Sequence, residues 1–383
     1  MRRIEETLPP PAAANPERVA LEHVAAIPPY PPGRPISSVA REYGLDPKSI
    51  IKLASNENPL GPSPRARQAI VEAAGAAALY PDFDTFALRE SLSRHLGVAP
   101  ERILPGAGSS DFIVLVARAF LGQGRCGLIS QHSFPAYRGA IAATGARAIV
   151  VPSRDYALDL ERTLEAIDDG VRLLYLATPN NPTGTRISPA ALAEFIACLP
   201  EHVILALDEA YRDYLEPSER PATDHLPEAR PNVVVLRTFS KIHGLAGLRV
   251  GYAIGDPRLL GLLRRLQTPF SVSALAEAAA VAALADPGFA EKSRLLNLQE
   301  RTRMQQALGA AGIDFIPSHA NFVLLRTGSS RATYEALLRR GIIVRPMEGY
   351  GLPECVRASI GLPEEDDAFL HHMLELRRGA APA

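Results

Sequence analysis

The sequence predicts an α/β fold: a mostly parallel central sheet covered by helices, with a smaller α+β domain built from both chain ends. Three observations predict it. From about residue 65 to 265 helical and strand patterns alternate. The strand-like runs in that span are continuously apolar, the mark of strands buried on both faces of a parallel sheet. Beyond residue 270 the alternation gives way to long alanine- and leucine-rich helices, and these precede a second group of short strands.

Taken in chain order, the first tens of residues are proline-rich ("TLPPPAAANPE", then "IPPYPPGRPI"), which suits an extended arm laid on another surface. "IIKLASNENPLGPSP" reads as a short strand entering a turn-rich loop. Helices are predicted over "SPRARQAIVEAAGAA", "TFALRESLSRHLG", "SSDFIVLVARAFLG" and "SPAALAEFIACLP". Between them lie the strand runs "CGLIS", "RAIVVP", "RLLYLAT", "HVILALD" and "NVVVLRTF". "ERILP" reads as a poor core strand. After "ALAEAAAVAALAD" and "AEKSRLLNLQERTRMQQALGAAG", the runs "NFVLLR", "GIIVRP" and "CVRASIG" supply a smaller sheet. The expected division is an arm and part of the small domain over 1–50, a large domain over 51–268 and a small C-terminal domain over 269–383.

The bulk composition excludes several function classes. A chain of 383 residues with 47% hydrophobic and 22% charged residues is ordinary for a globular protein. The formal net charge of −1 gives no broad attraction to nucleic acid or to an anionic membrane, so any anion must be held by a local site. Cys126, Cys198 and Cys355 are far apart and odd in number, which reads as reduced thiols. Arg2-Arg3 precede a stretch with three acids and no apolar core, so no export signal is expected. No run approaches a membrane span, and a cytoplasmic location follows as the expectation. No metal site is predicted.

In open parallel sheets, ligands bind outside the carboxyl ends of the strands. "RLLYLAT" is followed by Pro179-Asn180-Asn181-Pro182-Thr183-Gly184, "HVILAL" by Asp208-Glu209-Ala210-Tyr211, and "NVVVLRTF" by Ser240-Lys241. Phe134 follows "CGLIS", and Gly106-Ala107-Gly108-Ser109-Ser110 precedes a helix. Singly, each has an ordinary use. Asp208 suits a helix cap, Asn181 suits turn chemistry, Phe134 suits a core, and "GAGSSD" lacks the third glycine of a dinucleotide loop. Lys241 is different, because the chain holds only four lysines against a large excess of arginine.

Together these residues match the needs of pyridoxal 5′-phosphate. Its aldehyde needs a lysine amine for a Schiff base, and its ring nitrogen needs an acid that keeps it protonated. Lys241 and Asp208 supply those groups. Asn181 and Tyr211 can donate to the phenolate, and Phe134 can cover the ring face. Ser109, Ser110, Ser240 and Arg249 can surround the phosphate, which favours a helix N-terminus, hydroxyls and an arginine.

With these motifs in place, the chain resembles the fold-type I pyridoxal-phosphate aminotransferases, and within them the histidinol-phosphate aminotransferase family. The motifs that carry the likeness are "KLASNENPLGPSP", "YPD", "SQHSFPAY", "TPNNPTG", "DEAYRDY", "RTFSKIHGLAGLRVGY", "SHANFVLLR" and "GIIVRPMEGYGLPECVRASIG". They run from about residue 27 to 370. The resemblance implies a homodimer in which Tyr80 reaches the partner's cofactor phosphate. It implies that Arg357 holds an α-carboxylate, and that Tyr30 and Arg345 help bind the distal phosphate of histidinol phosphate. Thr238 joins the cofactor set, and Asn56 and Asn181 the substrate set. Glutamate and 2-oxoglutarate are the implied co-substrate pair, used in ping-pong transamination with Lys241 as the proton carrier. "RLQTPFSVS" departs from the family pattern at Gln267 and Ser271, and "PMEGYG" departs at Glu348. By motif these positions lie near the substrate side chain, where Glu348 would repel a phosphorylated substrate if it pointed inward. An aminotransferase for aromatic or other amino acids stays open, as do a lyase or decarboxylase of a phosphorylated amino acid and a ligand-sensing domain without catalysis.

Overall fold

The computed structural model describes residues 15–29 and 33–379. Thirteen strands occur among the described residues: β1 (Ile51–Lys52), β2 (Ile103–Gly106), β3 (Cys126–Ser130), β4 (Arg147–Val151), β5 (Val171–Ala177), β6 (Ile204–Asp208), β7 (Val233–Thr238), β8 (Gly251–Ile254), β9 (Asp314–Ile316), β10 (Phe322–Arg326), β11 (Ile342–Ile343), β12 (Arg345–Pro346) and β13 (Cys355–Ser359). Seven form the central sheet in the order β2-β8-β7-β6-β5-β3-β4. β3 to β7 are mutually parallel, and only β8 runs against its neighbours.

Continuous apolar runs form these strands because both faces are covered. Leu174, Leu176, Leu205, Leu207, Val233 and Val235 face one core; Leu173, Tyr175, Ala206, Val234 and Leu236 face the other. Helices Phe86–Leu96, Pro189–Cys198 and Ala274–Leu284 contribute to the first core, and helices Ser109–Phe120, Pro135–Ala142 and Pro257–Leu266 to the second. Each fully buried Val or Leu contributes roughly 1.5–3 kcal/mol relative to exposure.

Two elements differ from the sequence reading. The "ERILP" stretch contains a true strand, for β2 is buried along its length and pairs with β8. Pro105 is accommodated because β2 is an edge strand, where one row of backbone groups needs no ladder partner. The alanine-rich helix Ala274–Leu284 packs on helices Pro64–Ala73 and Phe86–Leu96 and enters the core of the central sheet. Its small side chains permit that close approach.

The smaller unit holds the antiparallel sheet β12-β13-β10-β9 and the parallel pair β1–β11. Ile51 and Lys52 pair with Ile342 and Ile343, so early and late segments of the chain are joined in one unit. Helix Ile36–Tyr43 adds Val39 and Ala40 to a cluster with Leu338 and Ile343. Among the described residues no helix is long and apolar enough to cross a membrane. The three cysteines are free thiols; Cys126 and Cys355 are buried.

Candidate active site

The carboxyl ends of β5, β6 and β7 open into a cavity of about 330 Å³, whose other wall comes from β12, β13 and the loop after β1. Lys241 lies just beyond β7. Its Nζ donates to the Ser55 and Asn56 carbonyls, each at 3.2 Å. Burial lowers its pKa to about 8; Arg357 and Arg249 add to the shift, while Glu57 and Asp208 oppose it. An amine so placed is a far better nucleophile near neutrality than an exposed lysine.

Asp208 ends β6 and is buried. Tyr137 donates its hydroxyl to Oδ2 at 2.7 Å, and the Ala210 amide donates to Oδ1 at 3.0 Å. Burial raises the Asp208 pKa, and these two donors hold it down. The Tyr137 ring is stacked on Tyr175, with centroids 4.8 Å apart and planes 2° apart. Tyr137 stands within "SQHSFPAY", where nothing in the local sequence assigns it a role. Its partner lies 71 residues away in the chain, so only the fold reveals the contact.

The phosphate-type seat forms where helix Ser109–Phe120 begins. Gly108 precedes it at φ 90°, and a Cβ there would stand 2.8 Å from an Arg249 nitrogen. Arg249 Nη1 donates to Ser240 Oγ at 3.2 Å and to the Ala246 carbonyl at 3.0 Å. Thr238 is buried and accepts the Ser240 amide at 3.0 Å. Ser109, Ser110, Thr238, Ser240 and Arg249 therefore line one end of the cavity, where a helix N-terminus and a guanidinium favour an anion. Phe134 lines it too, edge-on to Tyr137 with centroids 5.9 Å apart.

Asn56, buried with φ 54°, donates from Nδ2 to the Tyr211 hydroxyl oxygen at 2.9 Å. Its backbone amide donates to Ser359 Oγ at 2.8 Å. Burial raises the Tyr211 pKa, so the phenol stays protonated and able to donate. Arg357 donates to Asn181 Oδ1 and to the Ala54 carbonyl, and it lies over the Phe322 ring at 5.1 Å. Arg345 is its direct cross-strand neighbour on β12, and its guanidinium stands 6.0 Å from the Tyr350 ring centre. Two buried cations side by side on one sheet face form a strong attractor for anions.

Not every expected residue joins this cavity. Tyr80, expected at a partner's cofactor rather than here, is 83% exposed and stacks on Phe270 at 4.8 Å. Tyr30 lies outside the described residues. Gln267 and Ser271 line a separate hollow with Phe83 and Arg264, and Gln267 Nε2 donates to the Pro105 carbonyl at 2.8 Å. Glu348 turns away from the cavity. Ser330 donates its hydroxyl to Glu348 Oε2 at 3.1 Å, at the start of helix Ser330–Leu338, where a carboxylate complements the helix dipole. The repulsion envisaged from sequence does not arise.

The family model for aminotransferase class I and II matches residues 48–373. The chain belongs to the class I and II aminotransferases. Among curated relatives, histidinol-phosphate aminotransferase 2 of Ralstonia nicotianae is 47% identical over 353 residues, covering 91% of this chain and 94% of that protein. The histidinol-phosphate aminotransferase of Methylobacillus flagellatus is 44% identical over 351 residues, covering 92% and 95%. Within the class, this aminotransferase belongs to the histidinol-phosphate aminotransferase family. A solved histidinol-phosphate aminotransferase from Sinorhizobium meliloti, in complex with pyridoxal-5′-phosphate, superposes with a TM-score of 0.85 at 30% identity, covering 94% of this chain and 98% of that one. A single mutant of the Thermus thermophilus aspartate aminotransferase shares the fold, with a TM-score of 0.80 at 22% identity, covering 93% of this chain and 99% of that one.

Proposed function

We propose that this aminotransferase moves the amino group of L-histidinol phosphate to 2-oxoglutarate, giving imidazole acetol phosphate and glutamate, with pyridoxal 5′-phosphate as cofactor. The observation that carries the reading is the partly buried amine of Lys241, its pKa lowered, in one cavity with an acid and an anion seat. The residues present fit the cofactor. Lys241 offers an amine of lowered pKa, Asp208 a buried carboxylate, and the Gly108 approach leaves room that a side chain would fill.

When bound, the cofactor supplies an electron sink that acidifies the α-carbon of the amine attached to it. Asp208 holds a proton at the ring nitrogen, steadied by Tyr137. Ser109, Ser110, Ser240 and Arg249 hold the phosphate, with Thr238 beside them. Asn181 and Tyr211 orient the ring oxygen, and Phe134 covers one face. Lys241 Nζ takes the α-proton of the bound donor, and in the second half of the cycle returns a proton to the α-carbon of the oxo acid. Donor and acceptor use one site in turn, which gives ping-pong kinetics.

Specificity for a phosphorylated donor is supported by Arg345 and Arg357, which both line the cavity. Arg357 takes a carboxylate of the oxo acid, Arg345 takes the distal anion, and Asn56 and Asn181 brace the substrate. We further infer a cytoplasmic homodimer in which Tyr80 serves the partner's site. Supporting this, Tyr80, Phe83, Phe86 and Phe270 are large apolar side chains exposed on one chain. The cofactor-binding unit is best drawn to about residue 286, because helix Ala274–Leu284 packs on its core.

The test is a half-reaction screen. The cofactor-loaded protein is mixed with histidinol phosphate, phenylalanine, tyrosine and arginine, and loss of the lysine-bound absorbance is followed. Histidinol phosphate is expected to react at the highest kcat/KM. Preference for an unphosphorylated amine would overturn the substrate, and carbon dioxide release without oxo-acid consumption would overturn transamination.

A further inference from the structure

The hairpin between β4 and helix Leu160–Glu165 has no part in the chemistry above, yet it holds an unfavourable backbone. Asp155 and Tyr156 have φ of 50° and 64°. Around them Arg154 and Ala157 exchange two backbone hydrogen bonds, each of 2.9 Å. Two successive residues at positive φ make the turn for which Asn-Gly is favoured. A tyrosine there costs roughly 1–2 kcal/mol and persists only where its surroundings hold it.

The Tyr156 ring is held from two directions. On one side it stacks on His132, with centroids 5.4 Å apart and planes 21° apart. Burial keeps the His132 pKa below its ordinary value, so the stacked imidazole is neutral at pH 7. On the other side Tyr156 packs against the apolar cluster that Ile316, Leu324, Met347, Leu352 and Cys355 form, and Arg326 reaches its phenol oxygen. Both sides lead into the cavity. His132 stands two residues before Phe134, and its carbonyl accepts Asn180 Nδ2 at 2.7 Å. The next residue, Asn181, accepts from Arg357. Met347 follows β12 closely and Cys355 opens β13, the strands that carry Arg345 and Arg357.

We propose that Tyr156 is a positioning residue: wedged between the Phe134 loop and the β12–β13 strand pair, it sets the spacing between the cofactor face and the two arginines. Its ring thereby tunes the fit of dianionic substrates, a role that rests on the transaminase reading above.

The test compares wild type, Tyr156→Phe and the double variant Asp155→Asn/Tyr156→Gly, which installs the residues the turn prefers. Three quantities are read: the thermal midpoint of the apoprotein, the Kd of succinate (a dicarboxylate that binds without reacting) for the loaded protein, and KM and kcat for the donor. The double variant is expected to keep or raise the midpoint, while succinate Kd and donor KM rise about tenfold and kcat changes less than threefold. Tyr156→Phe is expected to stay within about twofold of wild type throughout. Unchanged succinate Kd in the double variant would overturn the proposal, as would a fall in midpoint matched by equal losses in kcat and affinity. An equal defect in Tyr156→Phe would overturn the role of the ring. Wild type inert toward every amine would sink the transaminase reading alone, since the succinate measurement needs no turnover.

Discussion

Lys241 illustrates how one side chain's surroundings set its chemistry. Its amine is largely withdrawn from water, bonded to two carbonyls and flanked by Arg357 and Arg249, so it loses its proton far more readily than an exposed lysine. Lys241→Ala is expected to lower turnover about 10²–10⁴-fold while the protein still binds cofactor, which single-turnover assays and equilibrium dialysis will check. Tyr137 works on the other proton-holding group. Its hydroxyl stabilises the ionised Asp208 carboxylate, so Tyr137→Phe removes a hydrogen bond to a charge, worth roughly 1.5–3 kcal/mol. The Asp208 pKa then rises, and the acid limb of the kcat/KM profile is expected to move to higher pH. A limb that stays in place in the Phe variant argues against this coupling. Lys241 and Asp208 were legible in the sequence because Asp208 ends an apolar strand run and Lys241 closely follows one. Tyr137 was not, because its significance lies in a neighbour brought close only by the sheet. The direction of Glu348 was equally hidden, since a single helix start, with Ser330 as donor, decides it.

At the scale of elements, the helix Ser109–Phe120 begins against Arg249 with almost no clearance. Gly108→Ala combines a strained φ with a Cβ 2.8 Å from the guanidinium, so cofactor affinity is expected to fall at least about tenfold, read by fluorescence titration. The C-terminal helix Pro363–Gly379 carries a different liability. Asp366 is wholly buried, accepts the Gly361 amide at 2.9 Å, and has its pKa raised to about 7, chiefly by burial and further by Glu300 and Glu365, against the pull of Arg303. The folded state therefore binds this proton more tightly than the unfolded chain. Stability from Asp366 is complete below about pH 4 and is lost as pH rises through about 7, by an amount on the order of a few kcal/mol. The thermal midpoint is expected to decline from pH 6 to 8, and Asp366→Asn should flatten that decline while keeping the amide acceptor. The same slope in both proteins would assign the pH dependence elsewhere. Parallel strands such as β5 and β7 were readable because burial on both faces leaves an unbroken apolar run. β2 and β8 were harder, for β2 is short, ends in Pro105-Gly106 and lies at the sheet edge.

At the scale of the whole molecule, one chain leaves Tyr80, Phe83, Phe86 and Phe270 exposed around a hollow that also holds Gln267 and Arg264. A face of this kind calls for cover. Phe270→Asp is expected to shift the protein toward monomer in sedimentation and to reduce activity, and an unaltered sedimentation coefficient would separate this patch from any interface. The two-unit plan was legible from the change of pattern near residue 270, but the packing of helix Ala274–Leu284 was not, because an all-round alanine surface names no side. Finally, the zipper of Ile51–Lys52 onto Ile342–Ile343, with the Asn56 amide on Ser359, ties segments up to 303 residues apart. During synthesis the large sheet and its covering helices can assemble once residue 284 has emerged, while the amine of residue 241 still lacks one wall of its pocket. Vitamin capture is thereby deferred until the ribosome has nearly finished, so a chain truncated before residue 342 should fold in part yet never hold its prosthetic group firmly.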